Sequence, residues 1–169
     1  MKNEDISILE FDDFIFDFDG VLTDNMVYTD QNGLEAVKCS RSDGLAFQAL
    51  SKLKKNVFIL STETNEVVSF RGKKLKIPVV KGVKNKAKQI DSMASKNEIN
   101  LSKTIYIGND INDFYAMKKC KLSACPADSH KEVQEISNYI CQKKGGEGIA
   151  REILEDLFKL NLIEILYSD

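Results

Sequence analysis

The chain has 169 residues with a formal net charge of −2, and 30% of its residues are charged. This length predicts a single domain, 1–169, which buries about 70% of the surface that its unfolded form exposes and so needs no disulfide or structural metal. The small net charge argues against a nucleic-acid partner or another polyanion. The polar start from Met1 to Glu10 argues against a signal peptide, and no apolar run is long enough for a membrane span.

Cysteine and histidine usage argues against a zinc site. The four cysteines show no Cys-x-x-Cys spacing, so we expect reduced thiols in a cytoplasmic protein. A Ser-His-Asp triad would depend on His130, the single histidine.

Predicted strands and helices alternate along the chain, which is typical of an α/β fold with a parallel sheet. The predicted strands are 14–17, 57–60, 78–80, 104–107, 122–125 and 139–141, and the predicted helices are 43–53, 66–75, 84–95, 113–119, 130–136 and 149–160. A β-hairpin is predicted at about 26–38 because Asn32-Gly33 is a strong hairpin turn.

Polar side chains follow the predicted strands at the points where these strands end. They include Asp17 and Asp19, Ser61, the lysines from Lys81 to Lys86, and the segment from Gly108 to Asp113. In an open parallel sheet, ligands bind beyond the carboxyl ends of the strands. The sequence therefore predicts a binding site at this edge.

The most informative segment is Asp17-Phe18-Asp19-Gly20-Val21-Leu22-Thr23-Asp24, directly after the first apolar strand. Two carboxylates one residue apart at the end of a buried strand repel each other, and burial penalises their ionisation. A Mg²⁺ ion would remove that cost because it binds carboxylate oxygens. Gly20 allows a sharp turn after the pair.

This octapeptide resembles the first motif of the haloacid dehalogenase (HAD) superfamily, most of whose members are Mg²⁺-dependent phosphohydrolases. The resemblance implies a three-layer Rossmann-like fold. It implies that Asp17 is the nucleophile, which forms an aspartyl-phosphate, and that Asp19 is the general acid and base. A carboxylate nucleophile splits one difficult hydrolysis into two easier steps.

Two further motifs follow in the family order. Ser61 ends the second core strand and matches the residue whose hydroxyl binds the phosphoryl group. The family also places one lysine near a helix start, where it neutralises the nucleophile. Lys86 fits that spacing best, with Lys81 and Lys84 as competitors.

The metal motif departs from the family pattern. The segment from Gly108 to Asp113 matches it, but the family usually has Gly-Asp where this chain has Gly108-Asn109. The implied Mg²⁺ ligands are Asp17, Asp19 through its backbone carbonyl, and either Asn109 or Asp110. An amide oxygen can bind Mg²⁺, but it carries less charge than a carboxylate.

The hairpin after the first motif and the Gly145-Gly146-Glu147-Gly148 segment narrow the resemblance. They resemble the capless subfamily that hydrolyses phosphates of 3-deoxy-2-ketoaldonic acids, in which a hairpin replaces the cap domain and builds a homotetramer. A neighbouring subunit then covers each site, with the segment from Gly145 onward as a candidate roof. The implied substrate-binding residues are Ser42, Asp43, Gly44, Thr62, Glu63, Arg71 and Lys74.

Within that subfamily, Thr62-Glu63 favours nonulosonate (sialic-acid-type) 9-phosphate phosphatases, since octulosonate 8-phosphate phosphatases usually carry Gly-Arg there. The basic pair Arg71 and Lys74 lies on one helix face and suits a substrate carboxylate. Two other functions remain: octulosonate 8-phosphate hydrolysis and a catalytically weak tetrameric scaffold. For Arg71 and Lys74, the alternative is a solvated basic helix face without a ligand. A phospho-receiver module does not fit, because the second and third strand ends offer Ser61 and Lys81 instead of an acceptor aspartate.

Overall fold

The computed structural model describes residues 6–168. Its strands are β1 (Asp13–Phe16), β2 (Thr23–Thr29), β3 (Glu35–Cys39), β4 (Asn56–Leu60), β5 (Val79–Val80), β6 (Thr104–Ile107), β7 (Leu122–Cys125) and β8 (Tyr139–Ile140). Its α-helices are α1 (Ser42–Lys52), α2 (Glu66–Leu75), α3 (Lys86–Ser95), α4 (Phe114–Met117), α5 (Lys131–Ile136), α6 (Ile149–Glu152) and α7 (Leu162–Tyr167).

A six-stranded parallel sheet with the order β5-β4-β1-β6-β7-β8 forms the middle layer. Side chains of β1 alternate between its two faces: Phe14 and Phe16 join the apolar cluster beneath α1 and α6, and Ile15 joins the cluster beneath α3 and α5. Both faces are covered, which explains why the strands read as continuous apolar runs. The predicted α/β class is confirmed.

The predicted hairpin is present as a separate two-stranded antiparallel sheet, β2 with β3. Its first strand begins at Thr23, earlier than predicted, and its turn closes with Asp30 accepting from the backbone of Asn32 and Leu34. The outer part of the hairpin carries exposed apolar side chains, namely Met26, Val27, Tyr28 and Leu34. No helix in residues 6–168 combines the length and apolar character that a bilayer crossing requires.

The predicted helix 149–160 is wrong in its extent. The chain is α-helical only through α6, continues as a π-helical turn at Ile153–Leu157, and then leaves the helix so that Phe158 packs edgewise on Phe11 and Phe14. Helix α7 was not predicted from the sequence. Asn161 was the available signal for the start of this helix, because asparagine is a preferred N-cap residue. In the structure its side chain accepts from the backbone of Ile163 and Glu164.

Candidate active site

The candidate site forms where three central strands end together. Each strand end is fixed by one backbone hydrogen bond just beyond the strand. The N–H groups of Asp17, Ser61 and Gly108 donate to the backbone carbonyls of Ile107 (2.9 Å), Val80 (2.9 Å) and Ala124 (3.1 Å), respectively. The sheet therefore brings the Asp17 motif, Ser61 and the metal motif after Gly108 to one edge, as the parallel order predicted.

Asp17 lies buried directly after β1. Its Oδ1 accepts from the Phe18 N–H at 2.7 Å and is paired with the Lys86 ammonium, also at 2.7 Å. Burial raises the pKa of Asp17 well above its ordinary value, and the nearby Asp113 carboxylate raises it further, while Lys86 opposes both effects. The ammonium thus holds one oxygen of this carboxylate and favours its charged form.

Lys86 is the first residue of α3 and its side chain is fully buried. Its Nζ lies 2.7 Å from Asp17 and 2.7 Å from Asp113. Burial by itself lowers the pKa of Lys86, but the two carboxylates outweigh it and the net shift is upward. The structure places Lys86 beside Asp17, whereas the rival Lys81 pairs with Glu66 and Lys84 is exposed.

Asp113 was predicted to lie at this edge, within the segment from Gly108, but was given no role, and Tyr106 was not predicted as a site residue. Asp113 is fully buried and accepts from Lys86, from the Tyr106 hydroxyl at 2.9 Å, and from the Asn109 N–H at 3.0 Å. A tyrosine between two isoleucines of a buried strand was the available signal for Tyr106, because a buried tyrosine hydroxyl needs a partner. One ammonium against two carboxylates leaves one net negative charge when all three are ionised, which suits an added cation.

Asp19 lies at the mouth of the site and is partly exposed. Its Oδ1 accepts from the Thr23 hydroxyl at 3.4 Å. Burial raises the pKa of Asp19, and the negative charge of Glu63 raises it further. A raised pKa favours the protonated form of Asp19, the form that a general acid requires.

The turn at Gly20 is fitted to Asn109. Gly20 has a φ of +80°, and a Cβ at this position would lie 2.0 Å from the Asn109 amide. The other end of that amide lies 2.8 Å from the Asp19 carbonyl oxygen and 3.2 Å from Asp17 Oδ2. With its oxygen on that side, three oxygens from Asp17, Asp19 and Asn109 converge, and this donor set fits Mg²⁺.

Asp110, the alternative ligand, is turned elsewhere. Its Oδ1 accepts from the Ile111 N–H at 2.7 Å, and its own N–H donates to Asp113 at 3.3 Å. Within residues 6–168, Asp110 has no hydrogen bond or ion pair with Asp17 or Asp19. The structure therefore brings Asn109, rather than Asp110, to the carboxylate pair.

Ser61 and Glu63 belong to the loop after β4. Ser61 is buried, and its hydroxyl accepts from the Glu63 N–H at 3.0 Å, while Thr62 is exposed. Glu63 accepts from the backbone of Thr64 and Asn65, and these bonds lower its pKa. A cavity of about 250 Å³ opens here, lined by Asp19, Glu35 and Glu63 among others. Glu63 thus lies beside Asp19 at the mouth of the site, and its contact with a substrate stays a prediction.

Arg71 and Lys74 are not brought to this mouth. They line a second groove of about 770 Å³ together with Arg41 and the exposed Phe70. Val37 and Val67 line both cavities and lie between them. One Arg71 nitrogen donates to the Ser40 carbonyl at 2.7 Å. A contact from this pair to a sugar in the Asp19 cavity would require the substrate to reach across the two valines.

The Ser42-Asp43-Gly44 segment supports the C-terminal part of the chain. Asp43 is buried and accepts from the Ala150 N–H of α6 at 3.0 Å. Ser42 lies against Gly148, where a Cβ would approach its hydroxyl to 2.3 Å, and Gly44 faces Leu75. The structure therefore shows Asp43 as a buried link between α1 and α6, away from solvent.

The glycine segment packs on its own chain. A Cβ on Gly145 would lie 2.2 Å from the Gly20 carbonyl, and Gly146 N–H donates to the Val21 carbonyl at 3.0 Å. These two glycines brace the turn that carries the Asp19 carbonyl. They are committed to their own subunit, so a roof over a neighbour would have to come from residues further along.

Asp43→Asn is expected to stabilise the protein above pH 6. Burial raises the pKa of Asp43 from 3.8 to about 6, so the folded state binds its proton more tightly than the unfolded state. The free energy of unfolding then falls as pH rises from about 4 to about 6, and the total loss of stability above pH 6 is at most about 3 kcal/mol. Urea unfolding from pH 4 to 8 should show a flatter profile for the variant.

The matched control is Asp156→Asn, since Asp156 is exposed in the same C-terminal region. It should follow the wild-type profile. Equal stability of Asp43→Asn and the wild type at pH 7 would contradict this account of Asp43.

The fold and site define a class of protein: an α/β enzyme with a parallel sheet, a buried aspartate–lysine pair and an oxygen cluster suited to a divalent cation. Residues 45–153, more than half of the chain, match the family model described as haloacid dehalogenase-like hydrolase. The chain belongs to this family. The family prediction made from the Asp17–Asp24 motif is therefore confirmed, although that motif lies before the matched residues.

Individual relatives agree with the family. The 3-deoxy-D-manno-octulosonate 8-phosphate phosphatase of Escherichia coli is 29% identical over 155 residues, which span 91% of this chain and 80% of the relative. A putative HAD family hydrolase from Streptomyces avermitilis has a TM-score of 0.85 at 35% identity, covering 89% of this chain and 86% of the other. The first relative is named as a phosphatase and the second as a hydrolase, in agreement with the predicted phosphoric monoester hydrolase.

A third relative was solved with ligands. The octulosonate 8-phosphate phosphatase of Moraxella catarrhalis, in complex with magnesium, phosphate and KDO, has a TM-score of 0.85 at 28% identity and covers 90% of this chain and 88% of the other. The relatives named for a substrate act on octulosonate 8-phosphate, the alternative in the sequence analysis. Nothing in these comparisons supports the nonulosonate preference.

Proposed function

We propose that this protein is a Mg²⁺-dependent phosphatase acting on a phosphorylated 3-deoxy-2-ketoaldonic acid of the octulosonate 8-phosphate type. The observation that carries the reaction is the Asp17–Lys86–Asp113 arrangement beside the oxygens of Asp19 and Asn109. The substrate class rests on relatives that share most of the chain length and are named for that phosphate.

In this mechanism, Asp17 attacks phosphorus and the bond to the sugar oxygen breaks. Asp19, in its protonated form, gives its proton to the departing oxygen. Asp19 then takes a proton from water, which attacks the aspartyl-phosphate and releases inorganic phosphate. Lys86 stabilises the negative charge that builds on the phosphoryl oxygens. Ser61 would donate its hydroxyl to one of them.

Asp17 Oδ2, the Asp19 carbonyl and Asn109 Oδ1 would hold the cation. When bound, Mg²⁺ neutralises charge on the phosphoryl group and brings it to the nucleophile. The remaining groups act by position: the Phe18 N–H and Lys86 fix Asp17, and Thr23 fixes Asp19.

The test is phosphate release from a panel of sugar phosphates, with Mg²⁺ and with EDTA. The panel includes octulosonate 8-phosphate, a nonulosonate 9-phosphate, hexose phosphates and a small generic ester. The proposal expects the highest kcat/KM with octulosonate 8-phosphate and loss of turnover in EDTA. Preference for hexose phosphates, or metal-independent turnover, would overturn it.

A nonulosonate 9-phosphate is the second candidate, favoured by Glu63. This carboxylate is held beside Asp19 by the backbone of Thr64 and Asn65, where the octulosonate enzymes usually have arginine. A carboxylate can accept hydrogen bonds from the hydroxyls or amide of a longer sugar acid, but it repels a nearby substrate carboxylate.

Glu63→Arg is expected to shift substrate preference. It should lower kcat/KM on a 9-phosphate about tenfold or more, with a much smaller effect on a small generic ester, because only the long substrate extends past Asp19 to Glu63. Glu98→Arg, an exposed charge reversal, is the control. Equal losses on both substrates would remove Glu63 from specificity and point to an effect on Asp19.

We also propose that the hairpins assemble the protein into a homotetramer. An isolated hairpin is marginal in water, and Met26, Val27 and Leu34 are exposed on it, so these side chains need a partner surface. Light scattering should give four chains for the wild type and a smaller species for Val27→Glu. A fully active monomer would contradict a site shared between subunits.

A further inference from the structure

The backbone of Asn109 is fixed, whereas its side-chain amide can still rotate. The backbone N–H of Asn109 donates to Asp113 at 3.0 Å, and its backbone carbonyl accepts from the His130 N–H at 2.9 Å. The side chain is buried, and its amide lies against Gly20. The remaining freedom is a half turn of the amide, which exchanges its oxygen and nitrogen in nearly the same space.

The two orientations have opposite effects on Asp17 Oδ2 and the Asp19 carbonyl oxygen. With nitrogen toward the turn, Asn109 donates to the Asp19 carbonyl at 2.8 Å and to Asp17 Oδ2 at 3.2 Å. With oxygen there, three acceptors face each other without a proton, which is costly in a buried place unless a cation lies among them. An aspartate at this position would lack the first option, because an ionised carboxylate cannot donate.

We infer that Asn109 closes the cation site when it is empty and opens it when a divalent cation binds. In the empty state, Nδ2 satisfies Asp17 Oδ2 and the Asp19 carbonyl. Binding of the cation breaks both hydrogen bonds, turns the amide and presents Oδ1. This inference rests on the proposed Mg²⁺ cofactor, and it assigns to Asn109 a role that a carboxylate cannot fill.

As a consequence, Asn109 raises the stability of the metal-free protein and lowers its affinity for the cation. Two hydrogen bonds, one of them to a carboxylate, stabilise the metal-free fold and must be given up on binding. A cation that binds only the folded protein raises its stability according to its affinity. The wild type should therefore unfold at a similar temperature with and without moderate Mg²⁺, whereas a variant with a carboxylate should depend strongly on it.

The experiment compares thermal unfolding of the wild type, Asn109→Asp and Asn112→Asp in EDTA and across a Mg²⁺ titration, without substrate. Asn112 is exposed in the same loop, so its variant adds the same charge without touching Asp17. In EDTA, Asn109→Asp should melt several degrees below the wild type. Its half-saturating Mg²⁺ concentration should be at least about tenfold lower than that of the wild type. Asn112→Asp should follow the wild type in both respects.

A second readout follows the amide itself. In protein labelled with ¹⁵N at asparagine, the side-chain NH₂ signals absent from Asn109→Asp belong to Asn109. They should be protected from exchange in EDTA and should shift and lose protection with Mg²⁺. Unchanged signals under saturating Mg²⁺, or Asn109→Asp as stable as the wild type in EDTA, would overturn the inference.

The outcomes separate this inference from the proposed function. If neither protein binds Mg²⁺, the cofactor proposal and the inference both fail. If both bind it and Asn109→Asp binds no more tightly, the inference fails and the cofactor stands. Turnover of any sugar phosphate enters neither comparison.

Discussion

Asp17→Asn is expected to abolish phosphatase turnover while leaving the protein folded. An amide cannot form the aspartyl-phosphate, and loss of a covalent nucleophile costs on the order of 10⁴–10⁶-fold in rate. Folding should survive because Lys86 keeps Asp113 as a partner at 2.7 Å, and because burial already opposes the charge of Asp17. Initial rates with saturating Mg²⁺ and the melting temperature measure the two effects separately.

Two comparisons sharpen this result. Asp12→Asn removes a carboxylate at the other end of the strand, which pairs with Lys103 at the surface, and should leave turnover within a few-fold of the wild type. Asp19→Asn should lose about 10²–10⁴-fold, the scale of general acid–base catalysis. Near wild-type activity in Asp17→Asn with every candidate phosphate would show that Asp17 is not the nucleophile.

Lys86→Met is expected to be the most destabilising single change in the site. It would leave the carboxylates of Asp17 and Asp113 together in the interior without a cation, and breaking a buried ion pair in this way costs about 3–5 kcal/mol. Activity should fall as well, because the ammonium no longer fixes the nucleophile. Urea unfolding in EDTA measures the stability, and a phosphate assay at low temperature measures the activity of the folded fraction.

The double variant Lys86→Met with Asp113→Asn tests the cause. Removing one of the two carboxylates should return a substantial part of the stability but none of the activity, since the nucleophile still lacks its ammonium. Lys84→Met, at an exposed neighbour of the same segment, should change stability by less than about 0.5 kcal/mol. If the double variant is no more stable than Lys86→Met, charge repulsion is not the source of the loss.

The sequence alone predicted the strands, most helices and the edge at which the site lies. These features depend on local patterns: apolar runs of strand length, the Asn32-Gly33 turn, and polar residues where strands end. The roles expected for Asp17 and Lys86 came from the family resemblance, and the structure places the two side chains in contact. Asn109 was also noticed from the sequence alone, because it departs from the family pattern.

Local patterns did not indicate what each long side chain would contact. Asp113 joins Lys86 to Tyr106, which lie in three distant segments, and this link forms because α3 packs on α4 over the sheet face that includes Tyr106. Helical spacing correctly put Arg71 and Lys74 on one face, but it could not show that Val37 and Val67 would separate that face from Asp19.

The C-terminal part shows the same division. Amphipathic spacing predicted a helix over 149–160, yet the helix widens and ends at Leu157 because Phe158 packs between Phe11 and Phe14, more than 140 residues away along the chain. Asp43 is held by the backbone of Ala150 for a similar reason. Periodicity and turn chemistry act within a few residues and fixed the elements, whereas packing between distant elements decided which side chains reach the site and which support it.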